Sequence, residues 1–115
     1  MDTSVIDVSV FNDLRDAVGN EFARELVDTF LEEAPGMLRQ LRAALAGSDT
    51  VGYRRAAHSL KSNCNTFGAL TLALMARDAE LDGFSGDATI DDGVLDTIDA
   101  AYAVVAAELK QLAGG

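Results

Sequence analysis

Apolar residues recur at intervals of three and four along most of this chain, and glycines punctuate the pattern. Phe11, Leu14 and Val18 share one face of a short segment, predicting a helix over about 8–18. A second segment starts near Asn20 and carries Phe22, Leu26, Phe30, Ala34, Leu38, Leu41 and Leu45 in the same rhythm. Pro35 interrupts it, and proline normally ends or kinks a helix. The apolar phase nevertheless runs unbroken from Phe30 through Ala34 to Leu38. The expectation is therefore one long helix to about Ala46, with Pro35 as the place for any kink.

A third helix is expected from about Thr50 to Thr66, with Ser48 or Asp49 as N-cap. A fourth runs from about Ala69 to Asp82. A fifth runs from about Asp91 to Ala113, with Val94, Ile98, Ala101, Val105, Leu109 and Leu112 facing in. Gly19, Gly47, Gly68, the pair Gly83 and Gly86, and Gly114 close successive segments, and glycine just past a helix end tolerates a left-handed backbone. Four long amphipathic helices on short connections pack most simply as an antiparallel four-helix bundle. The expected fold is all-α: that bundle, with a short additional N-terminal helix as a lid, and residues 1–115 forming one domain.

Composition agrees and narrows the possibilities. The chain has 115 residues, enough for one core and too few for two. Ala and Leu dominate the apolar set, with no Trp and one Pro, which favours helix over sheet. No run of about 18 apolar residues exists to span a membrane. The opening "MDTSVIDVSV" lacks the basic region and apolar core of a secretion signal. Cys64 is the only cysteine, which excludes a disulfide framework or thiolate zinc cluster. These features point to the cytoplasm. A net charge of -10 repels nucleic-acid phosphates and anionic lipid, so neither is an expected partner.

Against that acidic background the stretch "YRRAAHSLKSNCNTFGAL" stands apart. It holds the single histidine, His58, with Arg54, Arg55 and Lys61 within four positions, and no Asp or Glu occurs between Thr50 and Thr71. At about 100° per residue, Tyr53, Ala56, Ala57, Leu60, Cys64 and Phe67 form the core stripe of the third helix, within about 60° of one direction. His58 points about 140° away from its centre, into solvent. Its neighbours one turn away are Arg54, Arg55, Lys61 and Ser62, with Asn65 two turns on.

A solvated surface histidine is the bland reading, but crowding like charges on one helical face costs stability and needs compensation. A locally basic patch on an acidic body suits an anion that comes and goes. A metal site is disfavoured, because a lone His beside cations has no second ligand at the right spacing. A serine triad is disfavoured too, since Ser59 faces elsewhere and no oxyanion loop is identifiable. An exposed imidazole flanked by Lys and Arg suits a phosphoryl carrier: the neutral ring is a nucleophile, and the cations stabilise the anionic product. His58 lies ten residues before Gly68 and Glu80 twelve after it. In an antiparallel hairpin both stand about 15–18 Å from the turn. Glu80 is thus placed to accept a hydrogen bond from one ring nitrogen, or else is an ordinary surface carboxylate.

"AAHSLKSNCNTFGALTLALMARDAE" resembles the histidine-containing phosphotransfer (HPt) domain of bacterial phosphorelays. The family motif reads approximately His-x-Leu-Lys-Gly/Ser, then Gly-Ala, then a Leu-rich helix ending in Leu-Glu or a related pair. His58, Leu60, Lys61, Ser62, Gly68, Ala69, Leu72 and Glu80 fall on those positions, with Ala79 where Leu is common. Upstream, "FARELVDTFLEEAPGMLRQLRAAL" is similar to the family's second helix, including its proline. The resemblance implies that His58 accepts the phosphoryl group and Lys61 stabilises it. It implies that position 62 stays small for close approach of a receiver. Ser62, Asn65 and Gly68 are the residues expected on the partner surface. Glu80 would orient the imidazole, while Arg54 and Arg55 assist with phosphate by their place on the wheel.

The function expected is a phosphorelay intermediate between receiver domains, with a sensor or hybrid histidine kinase upstream and a response regulator downstream. The receiver would supply Mg²⁺; this chain has no glycine-rich nucleotide loop, so no cofactor and no kinase or ATPase activity of its own are expected. A monomer is expected, since the apolar stripes are used internally. A bundle that binds a receiver or kinase without transferring phosphate is the alternative. An acid–base enzyme built on His58 and Glu80 ranks last, because a convex face offers no substrate pocket.

Overall fold

The computed structural model describes residues 5–82 and 92–114. Five helices occupy them: α1 (Val8–Val18), α2 (Asn20–Ala46), α3 (Thr50–Phe67), α4 (Leu70–Asp82) and α5 (Asp92–Gly114). Each boundary lies within about one residue of the expected one. α2 packs on α3 and α5, and α4 packs on α3 and α5, which closes the four long helices into a ring. α1 lies across α2 and α3 as the additional helix. The expected turn at Gly83 and Gly86 and the start at Asp91 lie outside the described residues.

α2 continues through Pro35 without a break. Proline withholds its N–H from the Leu31 carbonyl, but burial of Phe30, Ala34 and Leu41 on one side outweighs that single lost bond. The core stripe of α3 is as expected: Tyr53, Ala56, Ala57, Leu60, Cys64 and Phe67 are all buried. Phe30 packs against Phe67 with ring centroids 5.3 Å apart and meets Tyr102 edge-on at 6.0 Å, joining α2, α3 and α5. Burial among these side chains pushes the Cys64 thiol up to about 12, so it stays protonated and unreactive.

Some expected core positions face solvent instead. Val18, Phe22 and Val94 are exposed, whereas Ile6, Val27 and Leu95 are buried. Phe30 sits beside Phe67 at the end of α3, so the first turns of α2 project beyond that helix and Phe22 has no α3 surface to cover it. In α5 the buried phase runs Leu95, Ile98, Val105, Leu109, which displaces Val94 by one position. Arg15 of α1 and Arg24 of α2 donate to the Leu112 and Ala113 carbonyls, capping the end of α5. Arg42 of α2 bonds both Asp96 (2.6 Å) and Asp99 (2.5 Å), fixing the other end of α5.

The two short turns around α3 are built alike. After α3, Gly68 takes the left-handed conformation (φ 81°), its N–H reaching the Asn65 carbonyl and the Ala69 N–H reaching the Cys64 carbonyl. Before α3, the same pair of bonds runs from Ser48 to Leu45 and from Asp49 to Ala44. The left-handed residue there is Ser48 (φ 54°), not Gly47 as the glycine pattern implied, because Gly47 remains near-helical at φ -92°. Asp49 then caps α3, accepting from the Gly52 N–H at 2.9 Å.

Gly68 also receives α1. The Asp7 N–H donates to the Gly68 carbonyl at 2.8 Å, and a Cβ at position 68 would stand 2.7 Å from the Asp7 oxygen. Gly68→Ala therefore combines left-handed strain with a backbone clash and is expected to cost at least about 2 kcal/mol in urea unfolding. Ser48→Gly removes strain without touching a neighbour and is expected to gain about 0.5–1 kcal/mol. Equal and small effects at both sites would refute this account of the turns.

Candidate functional site

The Gly68–Ala69 turn is only two residues long, so α4 folds straight back along α3 and the height arithmetic is realised in detail. His58 Nδ1 lies 3.1 Å from Glu80 Oε1. The other oxygen of the same carboxylate, Oε2, is shielded from solvent and lies 2.8 Å from the Lys61 ammonium. The His58 side chain is 60% exposed, while Lys61 and Glu80 are 26% and 24% exposed. One carboxylate thus grips an imidazole and an ammonium one turn apart on the neighbouring helix.

The electrostatics follow from that grip. The Lys61 hydrogen bond holds the Glu80 carboxyl below the ordinary carboxylate range. Partial burial opposes the shift and the bond to His58 assists it. An ionised carboxylate only accepts, so the hydrogen on a neutral His58 ring belongs on Nδ1 and Nε2 keeps the free lone pair. Glu80 thus contacts the His58 ring through Nδ1 and pairs with the Lys61 ammonium.

The remaining candidates divide by place. Arg54 and Arg55 are exposed on α3 and have no ion pair among the described residues. Arg55 turns towards the groove between α2 and α3, beside Gln40, Ala43, Gly47 and Ser59. Ser62 is exposed beside His58, its carbonyl accepting from the Thr66 hydroxyl at 3.1 Å. Asn65 is exposed two turns on. Gly68, expected on the partner surface, is buried beneath Asp7 and serves the turn instead. Lys61, expected to wait for a phosphoryl group, is already engaged by Glu80, which leaves Arg54 and Arg55 as the unpaired cations of α3. Arg77 was not anticipated: it is exposed one turn before Glu80, and the height rule that matched Glu80 to His58 also places Arg77 level with Lys61. No group of three or more His, Cys, Asp or Glu side chains suited to a metal ion occurs among the described residues.

A family model for the Hpt domain matches residues 25–114. The chain belongs to the Hpt domain family. Over 63 residues it is 35% identical to the sensor protein TorS of Escherichia coli (strain K12), a match that takes in 55% of this chain. The chain spans only 7% of the length of that curated relative. Among solved structures it is similar to histidine-containing phosphotransfer protein B (HptB) from Pseudomonas aeruginosa PAO1, at 26% identity. The TM-score is 0.88, over 98% of this chain and 97% of that one. This Hpt domain has the helical-bundle fold of that neighbour, and its function is histidine phosphotransfer in a phosphorelay. No helix of the described residues is long and apolar enough to cross a membrane.

The shared carboxylate gives a direct test. Because Lys61 is the larger cause of the Glu80 shift, Lys61→Met is expected to raise the Glu80 titration midpoint by NMR more than His58→Gln does. The sign for stability follows from linkage: a carboxyl depressed in the folded state stabilises above its unfolded pKa, and that contribution fades as pH falls through the folded value. The stability gap between wild type and Glu80→Gln should accordingly be widest near neutral pH and close in acid. A gap that widens in acid would contradict the pairing.

Proposed function

We propose that His58 carries the phosphoryl group of this Hpt domain. It takes the group from the aspartyl phosphate of a receiver domain, or from a sensor or hybrid histidine kinase, and passes it to the aspartate of a response regulator. The observation that carries this reading is the exposed imidazole whose Nδ1 is held by Glu80, which reserves Nε2 for attack.

In the loading step the Nε2 lone pair attacks phosphorus in line with the leaving oxygen. The N–P bond forms as the P–O bond to the aspartate breaks, and the aspartate carboxylate leaves with the electron pair. Nδ1 keeps its proton, so the ring becomes cationic, and the Glu80 carboxylate facing it offsets that charge. Unloading is the reverse with a second carboxylate as nucleophile. Arg54 and Arg55, with Lys61 beside them, supply positive charge to the phosphoryl oxygens. The small Ser62 side chain and exposed Asn65 lie where the partner must come close.

Transfer of this kind depends on positioning and charge stabilisation, which a rigid bundle provides without a nucleotide site. Mg²⁺ belongs to the receiver in this reading, and the chain is a cytoplasmic, monomeric carrier with no kinase or ATPase activity of its own. With a cognate kinase and receiver, wild type should acquire acid-labile, alkali-stable phosphate and His58→Gln none. Glu80→Ala is expected to slow loading by about tenfold, through loss of ring orientation. Acid-labile phosphate persisting on His58→Gln would sink the assignment.

A further inference from the structure

α4 is amphipathic the wrong way round. Its inner face is made of small side chains, Ala73, Ala76 and Ala79 with Leu72, all buried. Its leucines Leu74 and Leu81 are 55% and 65% exposed, and Leu70 is also exposed. Leu70, Leu74, Arg77 and Leu81 are spaced four, three and four apart, so they form one continuous stripe along the helix. Exposing leucine while burying alanine forgoes about 25 cal/mol for every Å² left in water, so folding alone does not account for the arrangement.

The position of the stripe says what covers it. Leu81 follows Glu80, whose carboxylate touches His58 at 3.1 Å, and Leu74 lies six residues earlier, about 9 Å along the helix. A stable protein partner covers about 800 Å² on each side, a disc of about 16 Å radius. A partner centred on His58 therefore covers Leu74, Arg77 and Leu81 as well. The opposite flank of His58, the groove between α2 and α3, joins small residues such as Ala43, Ala44 and Ala56 to the polar Gln40, Asp49, Arg55 and Ser59, and offers no large apolar side chain. The charge is also matched. Arg77 has no acidic partner among the described residues, and the occupant that phosphotransfer requires carries an acidic pocket around its aspartate.

We propose that the Leu74–Arg77–Leu81 stripe is the anchoring half of the docking surface for the receiver domain. The two leucines seat an apolar patch beside the receiver's phosphorylation pocket, and Arg77 pairs with an acid at its rim. This rests on the phosphotransfer reading for the choice of partner. It adds that grip and selectivity come from α4, while the chemistry stays on α3.

The test uses the full chain and whichever receiver of the source organism exchanges phosphate with it, or failing exchange binds it, and measures equilibrium binding by calorimetry. Leu74→Gln/Leu81→Gln and Arg77→Glu are each expected to weaken binding by about tenfold or more. Val104→Gln, on the exposed face of α5, should leave it unchanged. Labelling of His58 by phosphoramidate, a donor too small to need docking, should be equal in all four proteins. Binding within twofold of wild type for both α4 variants would overturn the proposal, as would a wild-type dimer that those substitutions dissociate. Absence of phosphoramidate labelling on wild type would instead remove the transfer role of His58, while the binding data still decide the surface. Helical circular dichroism confirms that each variant is folded.

Discussion

Everything at the site depends on the left-handed turn at Gly68. Because α3 and α4 are joined by two residues, the register between them is set at the turn and propagates outward without slack. Glu80 reaches His58 only if that register is right, since a shift of one residue turns a helical side chain by about 100°. The same glycine accepts the Asp7 N–H, so α1 is laid on the turn and braces it from outside. The His58–Glu80 contact and the seat of α1 therefore share one structural origin.

A single carboxylate then does two jobs that are usually separated. By facing Nδ1 it leaves the free lone pair of a neutral ring on Nε2; by facing Lys61 it lowers the repulsion within a helix that carries Arg54, Arg55 and Lys61 and no acid of its own. The clustering that looked costly in sequence is offset from the neighbouring helix. The same pairing explains why Glu80 tolerates partial burial: the ammonium replaces the water that its Oε2 has lost.

Helix limits were legible because the local signals agreed: apolar period, caps and glycine each marked nearly the same residue. His58, its exposure and its level with Glu80 were legible for the same reason, since a short turn between regular helices leaves little to decide. Legibility failed where the answer depended on a neighbour. Phe22 fits the stripe of α2 but lies past the end of α3; Val94 fits a stripe that α5 presents one position later. Ser48 carries the left-handed φ although glycine stands beside it, because the bonds to Ala44 and Leu45 fix the turn one residue on. Nothing in the sequence around Gly68 separates a partner surface from a packed turn, and only the packing of Asp7 shows that it faces inward.

The gap in acidic residues between Thr50 and Thr71 has a kinetic side. At physiological ionic strength a charge is felt over only about 8 Å. A partner hovering over α3 therefore senses Arg54 and Arg55 beneath it and little of the net charge of -10 spread over the rest of the body. Diluting the salt lengthens that reach and brings the distant carboxylates back into view. For an acidic partner, encounter with this protein is then hindered at low salt, the reverse of ordinary electrostatic steering.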